Sequence, residues 1–534
     1  MGSCICPLVG GISRTIADWL SEQFFPVAHR MQIILSKRWL IFVKVTILIG
    51  LFGTFAWIAH FNQIAEYDET LHLDIARNIY QTGLPIRSSG PGEVYLYHPP
   101  LFLYLLAPAT GPLADGTLPA RFISGGFGLL VVALVFRLGT DLKHEIAGLI
   151  AGLLVAISPL FQIYAFNIQA EVMLTALILA GLLTFGRAWR YRRAGYAWLA
   201  GLMFGLALWV KFLAVLPVAA CVLFWLLHFR QRRDLKNLLA LIGPVILALV
   251  AWTIFGFWLD PTMFWAVMRD WFSGPDWPWD GRTHFTLSAW LMVVVRDVLS
   301  YPGAILLLAT LPWRWPDYRR NAPLLLLEIY GGLMWLYTFL ISVKEVRHLI
   351  PLWPVAAILI GCGLVDFWRG VPRATWPAWG RVTLTGLALI LLFEASPLTI
   401  FPASQPAILY NWFDPPYALR VFHNDPYLTN VRQAGYYLRQ VTPSNAIITV
   451  VHEGTVAGYY ANRHYWLLYV LPYDQTVQVL THSDWLLVDK EIYPNLTSQE
   501  FKDVKAYIAG HFAPVTQFHT AGAPATIYQR VTNP

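Results

Sequence analysis

The feature that most constrains this chain is a series of apolar runs, each long enough to cross a bilayer as a helix. The first is Trp39 to Ile58, and others recur as far as Ile400. A run of about 20 apolar residues spans the hydrocarbon core, and a helix satisfies every backbone donor and acceptor without water. Composition agrees: 57% of the residues are hydrophobic, 13% are charged, and the mean hydropathy is +0.52. Soluble globular chains are rarely so apolar. The 24 Trp and 25 Tyr suit the two membrane interfaces. The net charge of +7 lies mostly in short loops between apolar runs. That placement follows the positive-inside rule, and no RNA- or DNA-binding motif is present.

Charge sidedness orders the runs. Lys37, Arg38 and Lys44 put the N-terminus inside. The clusters Arg190, Arg192 and Arg193, then Arg230, Arg232 and Arg233, then Arg314, Arg319 and Arg320, then Arg369, Arg373 and Arg381 all fall on that same side. The runs include Ile146–Phe166, Gln169–Gly186, Leu287–Leu311 and a last one at Val382–Ile400. The fold class expected is a polytopic α-helical membrane protein of about eleven spans. Residues 1–37 form a cytoplasmic segment with a short amphipathic helix, Ile16 to Leu35. Residues 38–400 form the transmembrane domain, whose first external loop is 59–120. Leu71, Ile75 and Ile79 in that loop mark an interfacial helix, and Pro99 to Leu113 marks a second. Residues 401–534 are less apolar and read as a small exocytoplasmic α/β domain. Its strands are expected at Ala446–Val451, Tyr465–Val470, Asp484–Asp489 and Ala525–Val531. Cys221 and Cys362 lie inside apolar runs and Cys4 and Cys6 precede the first, so no disulfide framework holds the C-terminal region. No cleavable signal peptide is expected.

Against this sparse background, charges gather at the outer ends of the spans: Asp68, Glu69, His72, Arg77, His98, Glu171, Lys211, Lys344, Glu345, Arg347 and His348. Glu171 and Lys211 sit slightly inside apolar runs, where charge is costly and usually lines a cavity or pathway. Acids and bases meeting at one membrane face suit a site that handles an anion and activates a hydroxyl. Blander roles compete: Asp68 and Glu69 also suit a helix cap, and Lys211 also suits snorkelling. Trp265, Trp271, Trp277 and Trp279 in the loop Asp260–Phe285 fit an interfacial belt or contact with sugar or lipid. His452-Glu453-Gly454 reads as a structural loop, and Asn495-Leu496-Thr497 is a glycosylation sequon only in a host that uses it.

The order of these motifs resembles the GT-C class of integral-membrane glycosyltransferases. The likeness is to the group holding the protein O-mannosyltransferases and the lipid A aminoarabinose transferases. The pair Asp68-Glu69 opens the first external loop, as in that class. His98-Pro99-Pro100-Leu101 precedes the next helix. Glu171 starts a span where the class usually has Asp. Lys211-Phe212 leads to Pro217, and Arg347-His348-Leu349-Ile350-Pro351 has His where Tyr is usual. The resemblance implies an enzyme taking a sugar from a polyprenyl-phosphate donor to a hydroxyl of a protein, glycan or lipid acceptor, with inversion. It implies Asp68 as general base, with Glu69 and Glu171 beside it. Lys211, Arg347 and Arg77 would face the donor phosphate, and His98, His348 and Trp271 the substrates. The resemblance implies no cofactor that is required with certainty. A divalent cation on Asp68 and Glu171 is left open. The membrane expected is a bacterial inner or plasma membrane. The competing class is a transporter or flippase of a lipid-linked anion, against which stands the lack of two related halves.

Overall fold

The computed structural model describes residues 37–61, 67–90, 92–111, 115–228, 235–273, 291, 294–299, 301–314, 318, 321–340, 346–370, 426–490, 495–520 and 522–531. The amphipathic helix expected at Ile16–Leu35, the run Val382–Ile400, and residues Lys344, Glu345, Trp277 and Trp279 lie outside them.

Helix α1 (Lys37–Phe61) is the first apolar run. The first loop folds into α2 (Tyr67–Thr82), a two-stranded antiparallel ribbon of β1 (Ile86–Arg87) and β2 (Glu93–Val94), and α3 (Leu101–Thr110). Both interfacial helices expected here are present. Then come α4 (Thr117–Leu142), α5 (Glu145–Ala156), α6 (Pro159–Phe166), α7 (Ala170–Tyr191), α8 (Ala194–Leu208), α9 (Val215–Leu227) and α10 (Leu235–Leu259). After α11 (Pro261–Ser273) follow α12 (Tyr301–Ala309), α13 (Leu311–Arg314), α14 (Ala322–Leu340) and α15 (Leu352–Gly370).

Among the described residues, five helices are long and apolar enough to cross a membrane, or six if α5 and α6 count as one bent span. The run Ile146–Phe166 is therefore not one straight helix. It bends by 69° at Ser158-Pro159. Proline excludes the residue before it from helical geometry, and Ser158 instead caps α6. Within the run Leu287–Leu311, the described residues include a π-helical turn at Val294–Leu299 and then α12. A second break follows α8, where Lys211 takes extended geometry ahead of a 3-10 turn at Phe212–Ala214. Irregular backbone at membrane depth survives only inside protein or along a cavity. Small residues bring the helices close: a Cβ on Gly201 of α8 would lie 2.1 Å from the Leu241 carbonyl oxygen of α10.

Residues 426–531 form a mixed sheet with helices. Its strands are β3 (Ile447–Val450), β4 (His464–Leu467), β5 (Trp485–Val488), β6 (Phe512–Phe518) and β7 (Ala525–Arg530), in the order β4-β3-β5-β7-β6. The pairs with β3 are parallel and those with β7 antiparallel. The helices are α16 (Pro426–Val441), α17 (Gly454–Ala461), α18 (Tyr473–His482) and α19 (Ser498–His511). Sequence reasoning missed α17, α18 and β6: the two helices have only eight and ten residues, and β6 carries Pro514, which argues against a strand.

This unit is seated on the first loop. Gly90 N–H donates to the Tyr465 carbonyl (2.7 Å), and Tyr465 N–H donates to the Ser88 carbonyl (3.0 Å). The loop thus covers β4, the edge strand that would otherwise be open. Gly90 is needed there: its φ is +59°, and a Cβ would stand 3.0 Å from the Trp466 ring.

Candidate active site

Four segments far apart in sequence converge at one end of the helices. Asp68 lies in the first turn of α2, Glu171 in the first turn of α7, Lys211 at the break after α8, and Arg347 in a 3-10 turn ahead of α15. Carboxylates in first turns also complement the positive ends of their helices. Lys211 pairs with Glu171, and Arg347 pairs with Asp68. Arg347 Nε is also 3.9 Å from Glu171 Oε1, so its guanidinium stands between the two carboxylates. Glu171 is buried, and its Oε2 has no hydrogen-bond partner among the described residues. Asp68 differs, with 38% of its side chain exposed against 2% for Glu171.

The histidines line the same space. His72 Nδ1 is 2.8 Å from the Ile168 carbonyl oxygen and its ring stands edge-on to Phe102. Burial lowers its pKa, partly offset by the Asp68 charge. His98 is held well below the usual histidine range by burial and then by the Lys211 cation. Its loop is fixed by the Leu101 N–H, which donates to the Trp209 carbonyl two residues before Lys211 (3.0 Å). His348, half-buried, lies close enough to act on the Glu171 charge. Six sequence-derived candidates thus share one cluster: Asp68, Glu171, Lys211, Arg347, His98 and His348.

Two candidates point elsewhere. Glu69 is fully engaged with Arg121, whose Nε and terminal amine donate to its two oxygens at 3.0 and 2.6 Å. The Ile168 N–H adds a third bond (3.0 Å). Glu69 is therefore a buried tie between α2, α4 and the loop before α7, with no room for a reacting role. Arg77 reaches away from the cluster into the C-terminal domain. Its guanidinium donates to the Tyr459 carbonyl (2.9 Å) and Asn462 Oδ1 (3.1 Å) and lies 4.2 Å from the Tyr459 ring centroid. Trp271 belongs to α11, and its side chain lies outside the description.

Sequence reasoning missed Arg121. The signal was available, because a cation at the outer start of an apolar run breaks the positive-inside pattern and needs an anionic partner. Asp74 was also missed. It accepts from Ser88 N–H (2.8 Å) and Ser88 Oγ (2.7 Å), fixing the ribbon to α2, and its burial raises its pKa.

As a metal site the cluster fits poorly. Asp68 and Glu171 are neutralised by arginine and lysine, and no group of three or more His, Cys, Asp or Glu among the described residues could hold an ion.

Residues 97–258 match the family model described as dolichyl-phosphate-mannose-protein mannosyltransferase. ArnT from Cupriavidus metallidurans in the apo state shares the fold, with a TM-score of 0.64 and 16% identity over 91% of this chain and 98% of that one. The oligosaccharyltransferase of Archaeoglobus fulgidus aligns with a TM-score of 0.54 and 13% identity, over 85% of this chain and 70% of that one. The arabinofuranosyltransferase AftD from Mycobacteria aligns with a TM-score of 0.54 and 16% identity, over 93% of this chain but 40% of that one. No curated protein matches the sequence. The fold is that of GT-C membrane glycosyltransferases, and the resemblance to the protein mannosyltransferase and aminoarabinose transferase group stands.

Proposed function

We propose that the protein transfers a sugar from a polyprenyl-phosphate donor to a hydroxyl at the exocytoplasmic membrane face. The observation that carries this reading is the bridging of Asp68 and Glu171 by Arg347, with Lys211 on the same oxygen of Glu171 that Arg347 approaches. Two cations around a buried carboxylate, beside an accessible one, suit a reaction that releases a phosphate and accepts a proton. One solved relative of this fold is described as bound to undecaprenyl phosphate, and another as complexed with a peptide and a dolichol-phosphate.

In this mechanism the donor phosphate competes for Arg347 and draws it off Asp68. The freed carboxylate takes the acceptor O–H proton. The acceptor oxygen attacks the anomeric carbon as the bond to the phosphate oxygen breaks, and the electron pair leaves on polyprenyl phosphate. A single displacement inverts the anomeric centre. The leaving phosphate is a weak base, so it needs the cations Lys211 and Arg347 and no general acid. Glu171 holds both cations, and its open Oε2 can accept from an acceptor hydroxyl. His98, neutral at pH 7, offers a further ligand hydrogen bond. No step is routed through a metal ion. In the same reading, about eleven spans place the first loop and residues 401–534 outside, with the basic clusters inside.

The test uses the full-length protein in liposomes with synthetic polyprenyl-phosphate sugars and a soluble alcohol or peptide acceptor. Stoichiometric glycoside and free polyprenyl phosphate are expected. Movement of labelled donor between leaflets with no glycoside formed would favour a flippase.

A further inference from the structure

The grip on Arg77 carries an inference about how the reacting end of α2 is placed. It rests on the transferase reading above. We propose that Arg77 is a positioning residue, through which the C-terminal domain fixes the register of the helix bearing Asp68 and His72.

The argument starts from where α2 is held. Its first turn carries Asp68 and Glu69 and its second His72. Glu69 is anchored by Arg121, but among the described residues the adjacent Asp68 pairs with Arg347, the residue a donor phosphate would draw away. The other half of the helix is tied to the ribbon by Asp74 and Asn78 and needs a tie to the C-terminal domain. Arg77, 7% exposed, supplies it by donating to the Tyr459 carbonyl and to Asn462 Oδ1.

Those acceptors are well suited to it. Tyr459 lies in the last turn of α17, where its carbonyl accepts a single bond from the Asn462 N–H (3.2 Å), keeps a second lone pair for Arg77, and stands at the helix end that carries partial negative charge. Asn462 is the C-cap of α17 and takes left-handed geometry at φ +52°. The Tyr459 side chain reinforces the seat twice. Its ring lies under the guanidinium, and its hydroxyl accepts from the Gly116 N–H (3.0 Å), one residue before α4. Asp115 continues the contact through Arg432 (3.5 Å). The two ends of the first loop therefore clasp the same short helix. Because α2 is rigid, a shift at Arg77 is delivered to Asp68 some two and a half turns away. A displacement of about 1 Å at a reacting group can cost on the order of 10²-fold in rate.

The test uses the full-length protein in liposomes and compares Arg77→Ala, Arg77→Lys and Asn462→Gly. Glycine tolerates the left-handed geometry at 462, so that variant removes the Oδ1 acceptor with little backbone strain. Arg77→Ala should lower kcat by roughly 10–10²-fold while the Kd for polyprenyl phosphate stays within about twofold. Arg77→Lys keeps a cation over the ring and should recover part of kcat; Asn462→Gly should fall less than Arg77→Ala. Spin labels at Gln81 and Gln440 give a readout independent of turnover: one narrow distance in the parent, broadened in Arg77→Ala. Loss of donor affinity at unchanged kcat would overturn the proposal and return Arg77 to the phosphate. Normal kcat with a narrow distance in Arg77→Ala would also overturn it. A parent protein inert towards every polyprenyl-phosphate sugar, with the distance narrow in the parent and broadened in Arg77→Ala, would refute the transferase reading and leave the clasp intact.

Discussion

The two ends of α7 carry the same residue types and use them differently. The helix has 22 residues, so its ends lie about 33 Å apart. At its start, buried Glu171 faces Lys211 and Arg347 with one oxygen left over. At its end, Arg187 donates twice to Asp141 (3.0 and 2.8 Å), Arg137 pairs with the same carboxylate, and Arg190 donates to the Asp141 carbonyl. Lys143 with Asp366 and Lys44 with Glu145 complete that end. There Asp141 is over-supplied with cations and partly wet, and Arg137 is 59% exposed. Ion pairing by itself thus says little about chemistry. Depth of burial separates the ends: Glu171 is 2% exposed, against 14% for Asp366, 19% for Asp141 and 36% for Glu145.

The strongest way to break that contrast is to neutralise one carboxylate at each end. Asp68→Asn keeps the size and a capping oxygen but cannot take a proton. It should lower single-turnover transfer on the order of 10²–10⁴-fold with an unchanged melting temperature. Asp141→Asn should leave transfer intact and cost at most about 1 kcal/mol of stability. Equal losses at both ends, or none at either, would erase the distinction.

A second, smaller contrast removes a lysine from each end. Lys211→Ala should weaken donor use and slow turnover roughly 10²-fold, because a cation facing the leaving phosphate is gone. It should also destabilise the protein, since it strips buried Glu171 of its close partner. Lys143→Ala, at the wetter end, should leave donor Kd and turnover as they were. Unaltered donor kinetics in Lys211→Ala would remove the phosphate role.

The smallest effect sharpens the electrostatic difference through pH. His98 has a folded pKa below its unfolded value of about 6.5. Below that unfolded pKa, the unfolded chain binds a proton that the folded chain refuses, so stability falls as pH drops from 7 towards 5. One such proton is worth at most about 1.4 kcal/mol per pH unit. The melting temperature of His98→Asn should therefore fall less steeply over that range than the parent's. Parallel curves would mean that His98 protonates in the folded protein.

Much of this site was readable because bilayers make charge expensive. Glu171, Lys211 and Arg347 stood out as ions where apolar residues were expected, and sidedness alone gathered them with Asp68. Glu69 and Arg77 have partners that sequence reasoning did not name for one reason: the sequence shows that a charge needs a partner, but not which one. Arg121 and the C-terminal acceptors Tyr459 and Asn462 lie 52, 382 and 385 residues from the groups they hold. The helix breaks were partly legible, since Ser158-Pro159 is a local instruction. The break at Lys211 has no proline or glycine to announce it.

The edge-strand cover over β4 has a consequence for biosynthesis. Ser88 and Gly90 emerge early, yet their partner Tyr465 is made hundreds of residues later. Loop-closure entropy must be met before such distant contacts form, so this pairing is late by nature. While the chain is still being translated, α2 can find Arg121 and the following helices but not its C-terminal seat. The C-terminal half of α2 is therefore seated only when the C-terminal domain docks, and on the proposed transferase reading a chain stalled midway through the membrane helices is an inactive one.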